Sequence, residues 1–90
     1  YGPVVEGIYL MRVDGTGLTP LVQQEYVTQP AWSPQGSKIA YDGPDGLYVV
    51  NADGSGQPEL LWPGSVTLSP TWSPNASKIA FEDNWSIQIL

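Results

Sequence analysis

Ninety residues suffice for one small domain with a single modest core, and nine acids against three bases leave a net charge of −6. That balance disfavours nucleic acid and anionic lipid as partners and favours a cationic one. The sequence has no cysteine and no histidine, which removes disulfides, thiolate chemistry and the commonest general base and metal ligand.

Along the chain, short apolar runs alternate with turn residues. Tyr1 stands where a methionine would open a gene product, so processing or excision from a longer chain is expected. No stretch approaches the roughly 20 apolar residues that a membrane helix requires, and no membrane insertion is expected. Residues 8–11 (Ile-Tyr-Leu-Met) form the first predicted strand, followed by Asp14-Gly15, whose glycine supplies the positive φ of a tight turn. The next unit is complete, with strands predicted at Thr28–Trp32, 38–41, 47–51 and 59–62. Ser33-Pro34 ends the first of these, and Asp53-Gly54 joins the third to the fourth. Thr71-Trp72, 77–81 and 87–90 then begin the same series again. No window carries a sustained 3.6-residue apolar period, and proline interrupts most candidate helices. The runs 8–11, 47–50 and 87–90 lack a polar face, which predicts sheets covered on both sides.

These runs belong to an internal repeat. Ala31-Trp32-Ser33-Pro34 with Ser37-Lys38-Ile39-Ala40-Tyr41 returns forty positions later as Thr71-Trp72-Ser73-Pro74 with Ser77-Lys78-Ile79-Ala80-Phe81. Gly7-Ile8-Tyr9 leading to Asp14-Gly15-Thr16-Gly17 returns as Gly46-Leu47-Tyr48 leading to Asp53-Gly54-Ser55-Gly56. A period near forty with four strand-length runs reads as one β-propeller blade, strands A to D from the inside outward. The expected fold is therefore all-β, a β-propeller segment of about two and a quarter four-stranded antiparallel blades. Residues 1–27 end one blade, 28–62 form a complete blade and 67–90 a partial one. Propellers close with about four to eight blades, so further blades are expected from a parent chain or from identical subunits, three copies making six blades.

The pattern P-x-W-S-P-x-x-S-K-I-A-(Y/F), followed by Y-V-x-x-A-D-G-S-G, resembles the repeat of TolB-like β-propellers, which also occurs in propeller domains of prolyl oligopeptidase relatives. The resemblance spans essentially all of the chain. It implies a non-catalytic protein-interaction scaffold placed outside the cytoplasm, periplasmic or secreted. The chain departs from that repeat after Trp-Ser-Pro, where Asp-Gly is usual and Gln35-Gly36 and Asn75-Ala76 stand here. Ala76 must then avoid positive φ or accept a penalty of about 1 kcal/mol.

Within this expected architecture the B–C and D–A connections share one rim, and there the repeats diverge. Asp42, Asp45, Glu82, Asp83 and Trp85, with Tyr26 and Trp62 from the D–A connections, collect acids and aromatics on variable loops and form the candidate binding rim. Trp32 and Trp72 share one phase of strand A and are expected in the blade core. On the opposite rim Lys38, Lys78, Asp14 and Asp53 read as hairpin chemistry with weak surface ion pairs. The segment from Asn51 resembles the opening of a calcium loop but has Trp62 at the twelfth position, where a bidentate glutamate is needed, so no metal is assigned. Asn75-Ala76-Ser77 and Asn84-Trp85-Ser86 have N-glycosylation spacing, which matters only in a eukaryotic secretory pathway.

No catalytic residue and no cofactor is assigned: the sequence has no G-x-S-x-G elbow, and carboxylate pairs such as Asp42 with Asp45 read as solvated loop acids. The leading expectation is a scaffold that binds a protein. The alternatives are a self-assembling carbohydrate-binding propeller, with Trp85 and Trp62 stacking on sugars, and the gating propeller of a serine peptidase.

Overall fold

A computed structural model describes residues 6–64, 67–83 and 86–90 of the chain. The described residues are all-β, nine strands without a helix: β1 (Gly7–Leu10), β2 (Thr19–Gln23), β3 (Thr28–Trp32), β4 (Lys38–Gly43), β5 (Gly46–Asn51), β6 (Glu59–Pro63), β7 (Thr67–Trp72), β8 (Ile79–Asp83) and β9 (Ser86–Ile89). They form three antiparallel sheets, a hairpin β1-β2 and two meanders β3-β4-β5-β6 and β7-β8-β9.

The turns follow from local chemistry repeated forty residues apart. After Trp32, the Ser33 N–H donates to the Lys38 carbonyl at 2.8 Å, and the Ser33 Oγ accepts from the Lys38 N–H at 3.0 Å. Ser73 makes the same pair with Lys78, at 2.9 and 3.1 Å. One serine hydroxyl thus takes the place of a backbone acceptor and closes each β-hairpin. In the β5–β6 connection Asp53 Oδ1 accepts from the Ser55 N–H at 2.8 Å while Gly54 adopts φ +83°, an Asx-turn; Asp14, Gly15 and Thr16 repeat it between β1 and β2. The Ser55 and Thr16 hydroxyls also donate to these carboxylates and hold both aspartates below their ordinary range.

The strand period places the core. Along β4, Ile39 and Tyr41 point to one face and Ala40 and Asp42 to the other, and the pairings Ile39↔Val50, Ala40↔Val49 and Asp42↔Leu47 extend those faces onto β5. Ile39, Tyr41 and Val50 pack with Ile8, Val22 and Val27 from the first sheet and its exit. Ala40, Leu47 and Val49 pack with Ile79 and Phe81 of the third sheet. The middle sheet is thereby apolar on both faces, each fully buried side chain contributing about 1.5–3 kcal/mol.

Within the described residues the expected cover is uneven. Of the three runs without a polar face, β5 is covered on both sides, whereas Tyr9 in β1 is 38% exposed and Ile87 and Ile89 in β9 are 70% and 67% exposed. Among the described residues only the middle sheet has a neighbour on each face. The paired tryptophans also separate: Trp72 is half-buried against the second cluster, its indole Nε1–H donating to the Ala31 carbonyl at 3.0 Å, whereas Trp32 is 57% exposed. The sheet that Trp72 faces has an innermost strand, β3, to receive it. Among the described residues the sheet before Trp32 consists of β1 and β2, equivalent in the repeat to β5 and β6, with no innermost strand to receive it.

Candidate functional site: an acidic rim

In a meander successive connections lie at alternate ends, so β2–β3, β4–β5, β6–β7 and β8–β9 share one end of the stack. Side-chain bonds between sheets hold these ends level. The Trp62 indole N–H at the close of β6 donates to Asp83 Oδ2 at the close of β8, at 2.9 Å, and the Trp62 ring meets Phe81 edge-on with centroids 5.6 Å apart. At the start of the innermost strands, Gln29 Oε1 accepts from the Ser69 N–H at 2.6 Å and from its hydroxyl at 3.1 Å.

Charge divides sharply between the two ends. Glu6, Glu25, Asp42, Asp45, Glu82 and Asp83 lie at the end just described, and all three bases, Arg12, Lys38 and Lys78, lie at the other with Asp14, Asp53 and Glu59. The net charge of −6 therefore resides wholly at one rim, while the opposite rim is neutral. Lys38 there donates to Asn51 Oδ1 at 2.8 Å.

The individual rim residues take different roles. Asp45 is exposed at the tip of the Pro44-Asp45 hairpin; its carboxylate accepts from the Tyr48 hydroxyl at 3.1 Å, and its carbonyl accepts from the Gly64 N–H at 2.9 Å. Burial, then the bond to Asp45, raises the Tyr48 phenol above its ordinary value. The hairpin lies flat on the exit of β6 because Gly46 adopts φ +141° and a Cβ there would collide with the Trp62 carbonyl. Asp42 is only 5% exposed, below the rim surface, opposite Leu47 and Thr28. Glu82 and Asp83 are half-buried on β8. Tyr26 is 71% exposed in the β2–β3 turn with φ +64°, an uncommon conformation for a bulky residue held out in solvent. Trp85 lies outside the described residues.

The structure thus brings Trp62 and Asp83 together, ties Asp45 to Tyr48, and leaves Tyr26 projecting. Sequence reasoning missed Gln29 and Ser69. Both precede a proline, both adopt positive φ (+55° and +56°), and each sits where the strand register shifts. The available signal was a polar residue before proline at one phase of both repeats.

Among the described residues no group of three or more carboxylates is placed to hold a metal ion. What the rim offers chemically is hydrogen-bond acceptors, aromatic faces and a concentrated negative potential. No protein family, curated protein or solved structure matches the chain.

Proposed function

We propose that the chain is a non-catalytic β-propeller module whose acidic rim docks a cationic segment of another protein. The observation that carries this reading is the confinement of the entire net charge to one end of the stack, beside Tyr26 and the Trp62–Asp83 pair. A low-dielectric scaffold lined by one sign of charge raises the local concentration of an oppositely charged partner and its association rate. The propeller part rests on the repeat: consecutive sheets meet through equivalent side chains, and the resemblance to TolB-like repeats points the same way, with a location outside the cytoplasm.

The test is titration of the chain with lysine- and arginine-rich peptides over a range of salt, beside a variant carrying Glu25→Lys and Asp45→Lys, both exposed positions. Binding that weakens as salt rises and disappears in the variant is the expected result. Binding equal in variant and parent, or none at low salt, refutes it. A positive glycan array lost on Trp85→Ala would replace it with the carbohydrate-binding reading.

A further inference from the structure

The chain packs sheet on sheet by one rule, used twice. The face of β1 bearing Ile8 is closed by Ile39 and Tyr41 of β4, and the face of β4–β5 bearing Ala40, Leu47 and Val49 is closed by Ile79 and Phe81 of β8. In both cases an isoleucine and an aromatic two residues on, from the second strand of the following sheet, fill the surface. At the second interface Trp72 adds its bond to the Ala31 carbonyl, and Ser69 adds its bond to Gln29.

The third sheet presents the same face. By the repeat, Ala31, Ala40, Leu47 and Val49 correspond to Thr71, Ala80, Ile87 and Ile89. Leu47 is 0% and Val49 8% exposed, whereas Ile87 and Ile89 are 70% and 67% exposed. Two hollows cross that surface, one of about 240 Å³ lined by Ser69, Thr71, Ala80 and Ile87, the other of about 280 Å³ lined by Thr71, Trp72, Ala80 and Ile89.

We infer that this face is the receptor for one further sheet of the same repeat, a strand pair of pattern W-S-P-x-x-S-K-I-A-(Y/F). Its isoleucine and aromatic enter the two hollows, and its tryptophan donates to the Thr71 carbonyl as Trp72 donates to that of Ala31. The inference deepens the propeller reading and rests on it, naming the surface and the side chains through which the wheel grows.

Leu90 holds the phase of Val50, so a second copy of residues 51–90 appended after Leu90 continues the repeat in register. Hydrogen exchange at 87–89 and binding of a hydrophobic dye are compared for a chain extended by residues 51–64 alone, which supply the edge strand that pairs with β9 as β6 pairs with β5, and for the fully extended chain. Burial of the two isoleucines slows exchange by roughly 30- to 1,000-fold and lowers dye fluorescence. An extension carrying Ile79→Lys and Phe81→Lys in the appended copy alone removes that protection. Ile89→Lys leaves the unextended chain's stability unchanged but abolishes protection in the extended one. Unchanged exchange in the fully extended chain overturns the inference. So does protection at 87–89 in the unextended chain that strengthens with concentration, which would make a second copy the occupant. Cationic-peptide binding is read separately, so protection without binding removes only the proposed rim function, and binding without protection removes only this inference.

Discussion

Ala76 sits at φ +63° in the β7–β8 turn, where its repeat partner Gly36 sits at φ +77°, and each donates its N–H to the carbonyl of Ser73 or Ser33 at 2.9 Å. The two turns therefore share a backbone, and only one carries a Cβ. An L-residue in the left-handed region costs about 1–2 kcal/mol. Ala76→Gly removes that strain, and the greater freedom of glycine in the unfolded chain returns roughly 0.4–1 kcal/mol. A net gain of about 0.5–1 kcal/mol is expected, which in a domain of this size raises Tm by about 2–8 °C. Gly36→Ala should cost a similar amount: nothing lies within 4 Å of a Cβ placed there, so the loss isolates backbone strain from any clash. The measurement is urea and thermal denaturation of both variants, followed by tryptophan fluorescence. A midpoint that falls in Ala76→Gly, or rises in Gly36→Ala, would show that the left-handed turn is not the state the chain occupies.

Tyr41 is fully buried and its hydroxyl has no hydrogen-bond partner among the described residues, while Phe81 fills the same phase one repeat on. Tyr41→Phe should stabilise by about 1 kcal/mol in denaturant titration. Burial pushes the Tyr41 phenol up to about 12 from 10.0, so its protonated form is favoured in the fold. Its contribution is complete below pH 10 and is lost as pH rises toward about 12, and the Phe variant should show a shallower alkaline transition there. Trp72→Ala should cost about 3 kcal/mol and Trp32→Ala under about 1 kcal/mol, a contrast between identical side chains at one repeat phase that equal losses would disprove. A double-mutant cycle of Trp62→Phe with Asp83→Ala should return a coupling of about 1 kcal/mol by equilibrium unfolding, and additivity would mean the indole–carboxylate bond contributes nothing.

The limits of the sequence are visible at single residues. The four runs of the central unit and the strands of the middle sheet nearly coincide, because alternation, Asp-Gly and Ser-Pro act over contiguous residues. Ala76 was legible as a turn problem but not its outcome; positive φ prevailed because Ser73 anchors the hairpin at both of its ends. Of the candidate rim, the side of the molecule was legible from the parity of connections, but the depth of Asp42 was not. Nor was the pairing of Trp62 with Asp83, which depends on two sheets meeting at one height.

What the amino-acid order determined alone is therefore the strand phases, the hairpin chemistry and the placement of all the excess negative charge near strand ends on one side of the stack. Tertiary structure alone decided which copy of an equivalent residue is covered. Trp32 and Trp72 have near-identical local sequence but one is exposed and the other half-buried, and Val49 and Ile89 hold one repeat phase with opposite exposure. Burial is a property of the neighbour across the interface, and a repeat writes the same face each time without stating which copies will meet one.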